Sequence, residues 1–139
     1  MTIKIRSMTT SDYEAALELW ERTAGMGLSK ADEKLEIQHF LEQNEPLCFV
    51  AYEEERLVGT ILCGQDGRRG YLYHLAVDLD YRYTGIGKEL VQRSITALKA
   101  LGIQKCHLFV YTDNTSGIAF WDHLGWVTRE DIQVMSLDL

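Results

Sequence analysis

The sequence predicts an α/β fold of mixed α+β type, in which a central mixed, mostly antiparallel sheet carries helices on both faces. Three observations lead there. Short apolar runs between Cys48 and Val77 are separated by tight polar reversals, the pattern of an antiparallel meander. Amphipathic helical periodicity occurs both before and after that meander. A strand, a glycine-bearing turn, a helix and another strand follow one another from Tyr71 to Tyr111, which makes a β-α-β unit and adds a parallel pairing.

The elements can be justified in order. Ile3 and Ile5 alternate with Lys4 and Arg6, predicting a first strand. Ser11 followed by Glu14 has the spacing of a capping box, and Tyr13, Ala16, Leu17 and Trp20 recur at helical spacing up to about Arg22. Gly25 and Gly27 break that helix. Ser29 with Asp32 caps a second, carrying Leu35, Ile37, Phe40 and Leu41 and stopping before Pro46. Cys48–Tyr52, Leu57–Cys63 and Tyr71–Val77 are strands, with Asp66-Gly67 marking the second reversal. From about Gly85, Ile86, Leu90, Val91, Ile95, Leu98 and Leu101 share one helical face, and Gly102 ends it. Cys106–Tyr111 is a strand, Asn114–Leu124 a short helix stopped by Gly125, and Trp126–Val127 and Ile132–Leu137 are the final strands. No repeat or low-complexity linker interrupts the chain, so residues 1–139 read as one domain.

Composition narrows the function. With 46% hydrophobic and 25% charged residues, the chain has the balance of a soluble globular domain. No run approaches the roughly 18 to 20 apolar residues that span a bilayer. The N-terminus alternates like a strand and lacks the apolar stretch of a signal peptide. A net charge of −7 argues against nucleic acid as a partner. Cys48, Cys63 and Cys106 are odd in number, lie in apolar runs and lack metal spacing. They read as free thiols in a reducing cytoplasm, with no metal site expected.

The most informative segment is Leu75-Ala76-Val77, a polar turn, then Arg82-Tyr83-Thr84-Gly85-Ile86-Gly87-Lys88 opening a helix. A glycine turn at a helix N-terminus gathers unpaired N–H groups and the positive end of the helix dipole, an arrangement suited to phosphate. Arg82 stands where a P-loop needs glycine, and Glu89 where it needs Ser or Thr. Leu90 stands where a dinucleotide fingerprint needs a third glycine. What remains, Arg82-x-x-Gly85-x-Gly87, resembles the acyl-CoA-binding motif of the GNAT superfamily of N-acetyltransferases. A second run resembles the family's other signature. It is Asn114-Thr-Ser-Gly117-Ile-Ala-Phe120-Trp121-Asp-His-Leu-Gly125-Trp126, with Gly117 where Ala is common and Trp121 where Tyr is common.

The resemblance implies the matching GNAT fold and an acetyl-CoA-dependent transfer of an acetyl group to a primary amine. It assigns the backbone of Tyr83, Thr84, Gly85, Ile86, Gly87 and Lys88 to the pyrophosphate, with Arg82 anchoring the loop. Main-chain groups of Leu75, Ala76 and Val77 run beside the pantetheine arm, and Asn114 bonds that arm or caps the last helix. In the family this strand bulges, a feature that the sequence does not display.

The chemistry sets further demands. Freeing an alkylamine of pKa about 10.4 at neutral pH costs about 4 to 5 kcal/mol, so a proton acceptor is useful. Tyr73 and His74 are the nearby polar candidates, and strand alternation puts them on opposite faces. His74, an imidazole with an ordinary pKa of about 6.5, is the candidate catalytic base, with His107 and Tyr111 lesser candidates. Family members often protonate the leaving thiolate with a tyrosine at the position of Trp121, which has no ionisable hydroxyl. A thiol of pKa about 8.5 is more acidic than a phenol near 10, so that transfer is already uphill by about 2 kcal/mol. Water, Tyr111, or a hydrogen bond from the Trp121 indole can take its place. The acceptor is set by the first two helices, whose Asp32, Glu33, Glu36, Glu42 and Glu45 form an acidic, solvated face; Trp20 and Met26 are candidate lining residues, with core the preferred reading of Trp20. A non-catalytic acyl-CoA-binding module is the alternative reading. Relatives often dimerise, so a homodimer is among the implied partners.

Overall fold

Strands β2 (Phe49–Glu53), β3 (Arg56–Gln65) and β4 (Gly70–Val77) form the expected antiparallel meander in the computed structural model, which describes residues 2–139. Strand β1 (Ile3–Ser7) pairs antiparallel with β2, and β5 (Cys106–Leu108) pairs parallel with β4, giving the sheet order β1-β2-β3-β4-β5. Helices α1 (Tyr13–Glu21) and α2 (Lys34–Gln43) lie between β1 and β2, and α3 (Ile86–Ala100) lies between β4 and β5. These elements form one compact unit ending at Phe109. A second unit, Val110–Leu139, contains α4 (Thr115–His123).

Alternation along β3 explains why helices cover both faces of the first unit. A Cβ on Gly59 would come within 3.0 Å of Leu90 and 3.2 Å of Ile86, both on α3. One on Gly64 would come within 3.1 Å of Phe40, on α2. From Gly59 onward, odd-numbered residues of β3 therefore face α3 and even-numbered ones face α1 and α2; a register shift at Val58 puts Leu57 on the α1 side. On the latter side Tyr13, Ala16, Leu19, Trp20, Ile37 and Leu41 pack against Val50, Leu62 and Ala76. Cys48 and Cys63 are free, buried thiols; burial pushes Cys48 up to about 11 and Cys63 higher still.

Two buried aspartates tie α1 to the sheet. Asp12 accepts two hydrogen bonds from the Arg6 guanidinium at 2.8 Å each, one from Tyr52 Oη at 2.8 Å and one from the Thr9 N–H at 2.9 Å. Asp78 accepts from Arg22 at 3.0 Å, Arg56 at 2.9 Å and the Asp80 N–H at 2.9 Å. The helix start is thus signalled at Thr9 and Asp12, two residues before the Ser11–Glu14 pair that the spacing favoured. Asp12 wins because its carboxylate is buried and met by both Arg6 guanidinium nitrogens, whereas Glu14 is exposed and meets only the exposed Lys34. Likewise Ser29 and Asp32 close a one-turn 3-10 helix, Lys30–Asp32, and α2 starts after it.

The final strands expected at Trp126–Val127 and Ile132–Leu137 do not form: no described residue pairs with them. Alternation selects a face but supplies no partner, and a strand needs both. Local bonds form instead. The Trp126 N–H bonds back to the Trp121 carbonyl at 3.0 Å past Gly125 at φ 94°, and Arg129 forks onto Asp131. Strand β5 likewise stops at Leu108 rather than Tyr111.

Burial alone would raise the Asp12 and Asp78 pKa values, but the hydrogen bonds from arginine and backbone N–H groups outweigh it and hold both below the ordinary carboxylate range. Their stabilisation is present above the ordinary value and is lost as pH falls through the lowered folded value. Asp12→Asn should cost about 1 to 3 kcal/mol at about pH 6, and the deficit should shrink toward about pH 2. Urea denaturation across that range checks this; an equal deficit at both ends would refute the linkage.

Candidate active site

The site begins at a fault in β4. Thr60 pairs with Ala76 and Leu62 with Tyr73, so Ile61 alone faces His74 and Leu75. The extra residue is a bulge, and His74 takes it up at φ 50°, in the left-handed region that non-glycine residues rarely adopt. Two consequences follow for the residues around it.

The first is that alternation fails. Tyr73 and His74 were expected on opposite faces, yet both rings turn toward α1 and α2. Tyr73 meets Phe40 edge-on at 6.0 Å between centroids, and His74 meets Trp20 at 4.8 Å. The inserted residue shifts the pleat by one, returning Leu75 to the α3 face and Ala76 to the α1 face. Burial and three small networks then fix the imidazole. Its Nε2 lies 2.6 Å from Asp32 Oδ1. Asp32 Oδ2 accepts the Ser29 N–H at 2.9 Å, and the Asp32 carbonyl accepts Tyr13 Oη–H at 2.7 Å. The His74 carbonyl accepts the Thr60 hydroxyl at 2.9 Å, and Thr60 accepts the Trp20 indole N–H at 2.9 Å. Asp32 is therefore buried rather than part of a solvated acidic face, and Trp20 is core. The sequence offered Asp32 as a cap and as part of an acidic face; nothing in a separation of 42 residues announces its contact with His74.

The second consequence is a free strand edge. Pairing between β4 and β5 covers only Gly70–Leu72 against Cys106–Leu108. Beyond it, Tyr73–Val77 have no strand on that side among the described residues, so outward N–H and C=O groups of this edge, other than the Val77 carbonyl that Arg82 takes, lack a strand partner.

That edge leads into the glycine turn. Asp78 caps a one-turn helix, Leu79–Tyr81, and the Arg82 Nε–H donates to the Val77 carbonyl at 3.2 Å, folding the loop back on the strand end. The Tyr81 hydroxyl donates to Glu53, Arg56 covers its ring at 5.3 Å, and Thr84 donates to the Tyr81 carbonyl. Tyr83 sits at φ 62° and Gly85 at φ 88°. Gly85 is the N-cap of α3, and the space where its Cβ would project is open to 4 Å. The first α-helical bond runs from the Glu89 N–H to the Gly85 carbonyl at 3.0 Å, so the N–H groups of Ile86, Gly87 and Lys88 precede it and point out of the helix end. The end of β4 thus runs through one tight turn into the open N-terminus of α3. Among the described residues no cluster of three or more His, Cys, Asp or Glu side chains forms a metal site.

Tyr111, Asn114 and Trp121 lie in the second unit. Asn114 Oδ1 accepts the Gly117 N–H at 3.0 Å, so this residue caps α4 and leaves its Nδ2 uncommitted to the cap. A Cβ at position 117 would lie 2.5 Å from Asn114 Nδ2, so alanine there would require the Asn114 side chain to shift. Trp121 packs edge-on against Phe120 at 5.1 Å and Trp126 at 5.2 Å. Tyr111 is exposed.

Comparison with known proteins agrees with this geometry. The model of the acetyltransferase (GNAT) family matches residues 9–126. An acetyltransferase of Pectobacterium atrosepticum is 34% identical over 94% of this chain and 92% of its own length. One from Sodalis glossinidius is 32% identical over 96% of this chain and 93% of its own. In fold, the PaiA N-acetyltransferase of Thermoplasma acidophilum, solved in complex with coenzyme A, superposes with a TM-score of 0.82. It is 22% identical, over 95% of this chain and 94% of that one. From its glycine turn, its mixed sheet and these relatives, the chain belongs to the acetyltransferase (GNAT) family.

Proposed function

We propose that this chain is an acetyl-CoA-dependent N-acetyltransferase, acting as a single domain on a primary amine. The observation that carries the reading is the meeting of the bare β4 edge with the open N-terminus of α3. An extended amide-bearing arm suits the edge, and a pyrophosphate suits the N–H groups of Tyr83–Lys88. The relatives' name and the coenzyme A bound to a structural neighbour support the same ligand. When bound, acetyl-CoA supplies an activated carbonyl that the amine attacks directly, releasing the thiol.

The chain's own residues then have defined work. Gly85, with φ 88° and open space beside it, lets phosphate oxygens approach the backbone. Outward groups of Leu75, Ala76 and Val77 align the arm, Arg82 holds the loop, and the Asn114 side-chain amide is a donor to the arm. His74 accepts the proton of the incoming ammonium, since the bulge aims its ring away from the α3 face on which the pleat puts Leu75. Tyr111 or water protonates the leaving thiolate, and the Trp121 indole donates a hydrogen bond without giving up its proton. Free, buried thiols fit a reducing cytoplasm.

Calorimetric titration with acetyl-CoA, CoA and ATP tests the cofactor. Micromolar binding of the two CoA species but not ATP is expected, and Gly85→Glu should abolish it by placing a strained, anionic side chain at the turn. Absence of binding by folded wild type would overturn the reading. His74→Gln should lower kcat/KM for an amine found by screening by about 10²-fold while leaving acetyl-CoA affinity unchanged, whereas full activity would remove His74 from catalysis. Trp121→Tyr should leave turnover within about threefold, because phenol-to-thiolate transfer is already uphill on ordinary values. A large rise would give this slot a proton-transfer role. Tight CoA binding with no turnover on any amine would instead favour an acyl-CoA-binding module, the reading that Trp121 favours.

A further inference from the structure

The His74 ring is held more firmly than packing requires. Its backbone sits at φ 50°, a conformation that costs on the order of 1 kcal/mol or more and persists only where the surroundings over-determine it. Those surroundings come from three other parts of the fold. The 3-10 turn before α2 brings Asp32, α1 brings Trp20 against the ring and Tyr13 onto the Asp32 carbonyl, and β3 brings Thr60. Asp32 is the one ionisable side chain in hydrogen-bond contact with the imidazole among the described residues.

The carboxylate is itself fixed. Oδ2 takes the Ser29 N–H, while Ser29 Oγ accepts the Ala31 N–H at 3.2 Å and closes the turn. Oδ1 is left for His74 at 2.6 Å, with the two side chains 12% and 10% exposed. An ionised carboxylate only accepts hydrogen bonds, so the ring proton between them belongs to Nε2. That choice leaves Nδ1 with its lone pair free.

We propose that Asp32 is a positioning residue for the transfer reaction, holding His74 in the Nε2–H tautomer so that Nδ1 takes the proton of the acceptor amine. Proton balance is closed: the ammonium N–H bond breaks, an Nδ1–H bond forms, and the resulting imidazolium faces the Asp32 carboxylate. The amine lone pair so released is the nucleophile. The inference rests on the proposed role of His74 and adds the group that sets its tautomer.

Asp32→Asn keeps the size of the side chain and an oxygen for the Ser29 N–H, but it can turn an amide N–H toward Nε2 and force the ring proton onto Nδ1. Nitrogen-15 NMR of imidazole-labelled protein should show neutral His74 protonated at Nε2 in wild type and at Nδ1 in Asp32→Asn. The variant should lose about 10²-fold in kcat/KM, with acetyl-CoA affinity unchanged by calorimetry. In a His74→Gln background the same substitution should cost nothing further, since Asp32 acts through the ring. Wild-type protein with the proton on Nδ1 would overturn the inference whatever the enzyme does. So would an undiminished Asp32→Asn rate, or an equal loss in both backgrounds. If His74→Gln itself is fully active, the role of His74 falls, while the NMR result still reports separately on the Asp32 contact.

Discussion

A single inserted residue in β4 sets the geometry from which the site follows. Had β4 stayed in register with β3, His74 would point to the α3 face, away from Asp32 and Trp20. The left-handed backbone at His74 is unfavourable in isolation. It is offset by the Thr60 hydroxyl on its carbonyl and by Asp32 on its ring, so the strain and the network are parts of one arrangement. Past Leu72, β4 also has no paired strand on its outer side among the described residues, leaving a strand end hydrogen-bonded to β3 alone.

Rigidity around that strand comes from charge placed where water cannot reach it. Asp12 and Asp78 are each 2% exposed, and each is met by arginine and backbone donors rather than left isolated. They secure opposite ends of α1, through Arg6 and Tyr52 at one and Arg22 and Arg56 at the other. Removing one partner of such a pair leaves a buried charge without compensation, which is why these positions matter more than the surface pairs of Arg93 with Glu89 or Lys34 with Glu14. Asp78 also fixes the first turn after β4, and so the start of the loop that ends at Gly85.

Much of this was legible in the residues themselves. The meander, the α3 face and the glycine turn are local patterns, since alternation, helical spacing and a left-handed glycine depend on near neighbours. Gly85 at φ 88° is what a glycine there implied. The capping signals were half legible: the residue types were right, but Asp12 rather than Glu14 took the role because Arg6 and Tyr52 reach it from the sheet. The expected strands after Trp126 show the opposite case, in which an alternating pattern has no pairing partner among the described residues.

By itself, then, the sequence determined the order of elements from β1 to α4, the sheet with helices on both faces and the glycine turn into α3, because each is encoded within a few residues. Tertiary structure alone decided the bulge at His74, the shared face of Tyr73 and His74, and the contact between Asp32 and the imidazole. The physical reason is that a bulge is a property of two strands in register, and a hydrogen bond across 42 residues depends on where the intervening turns bring the chain back.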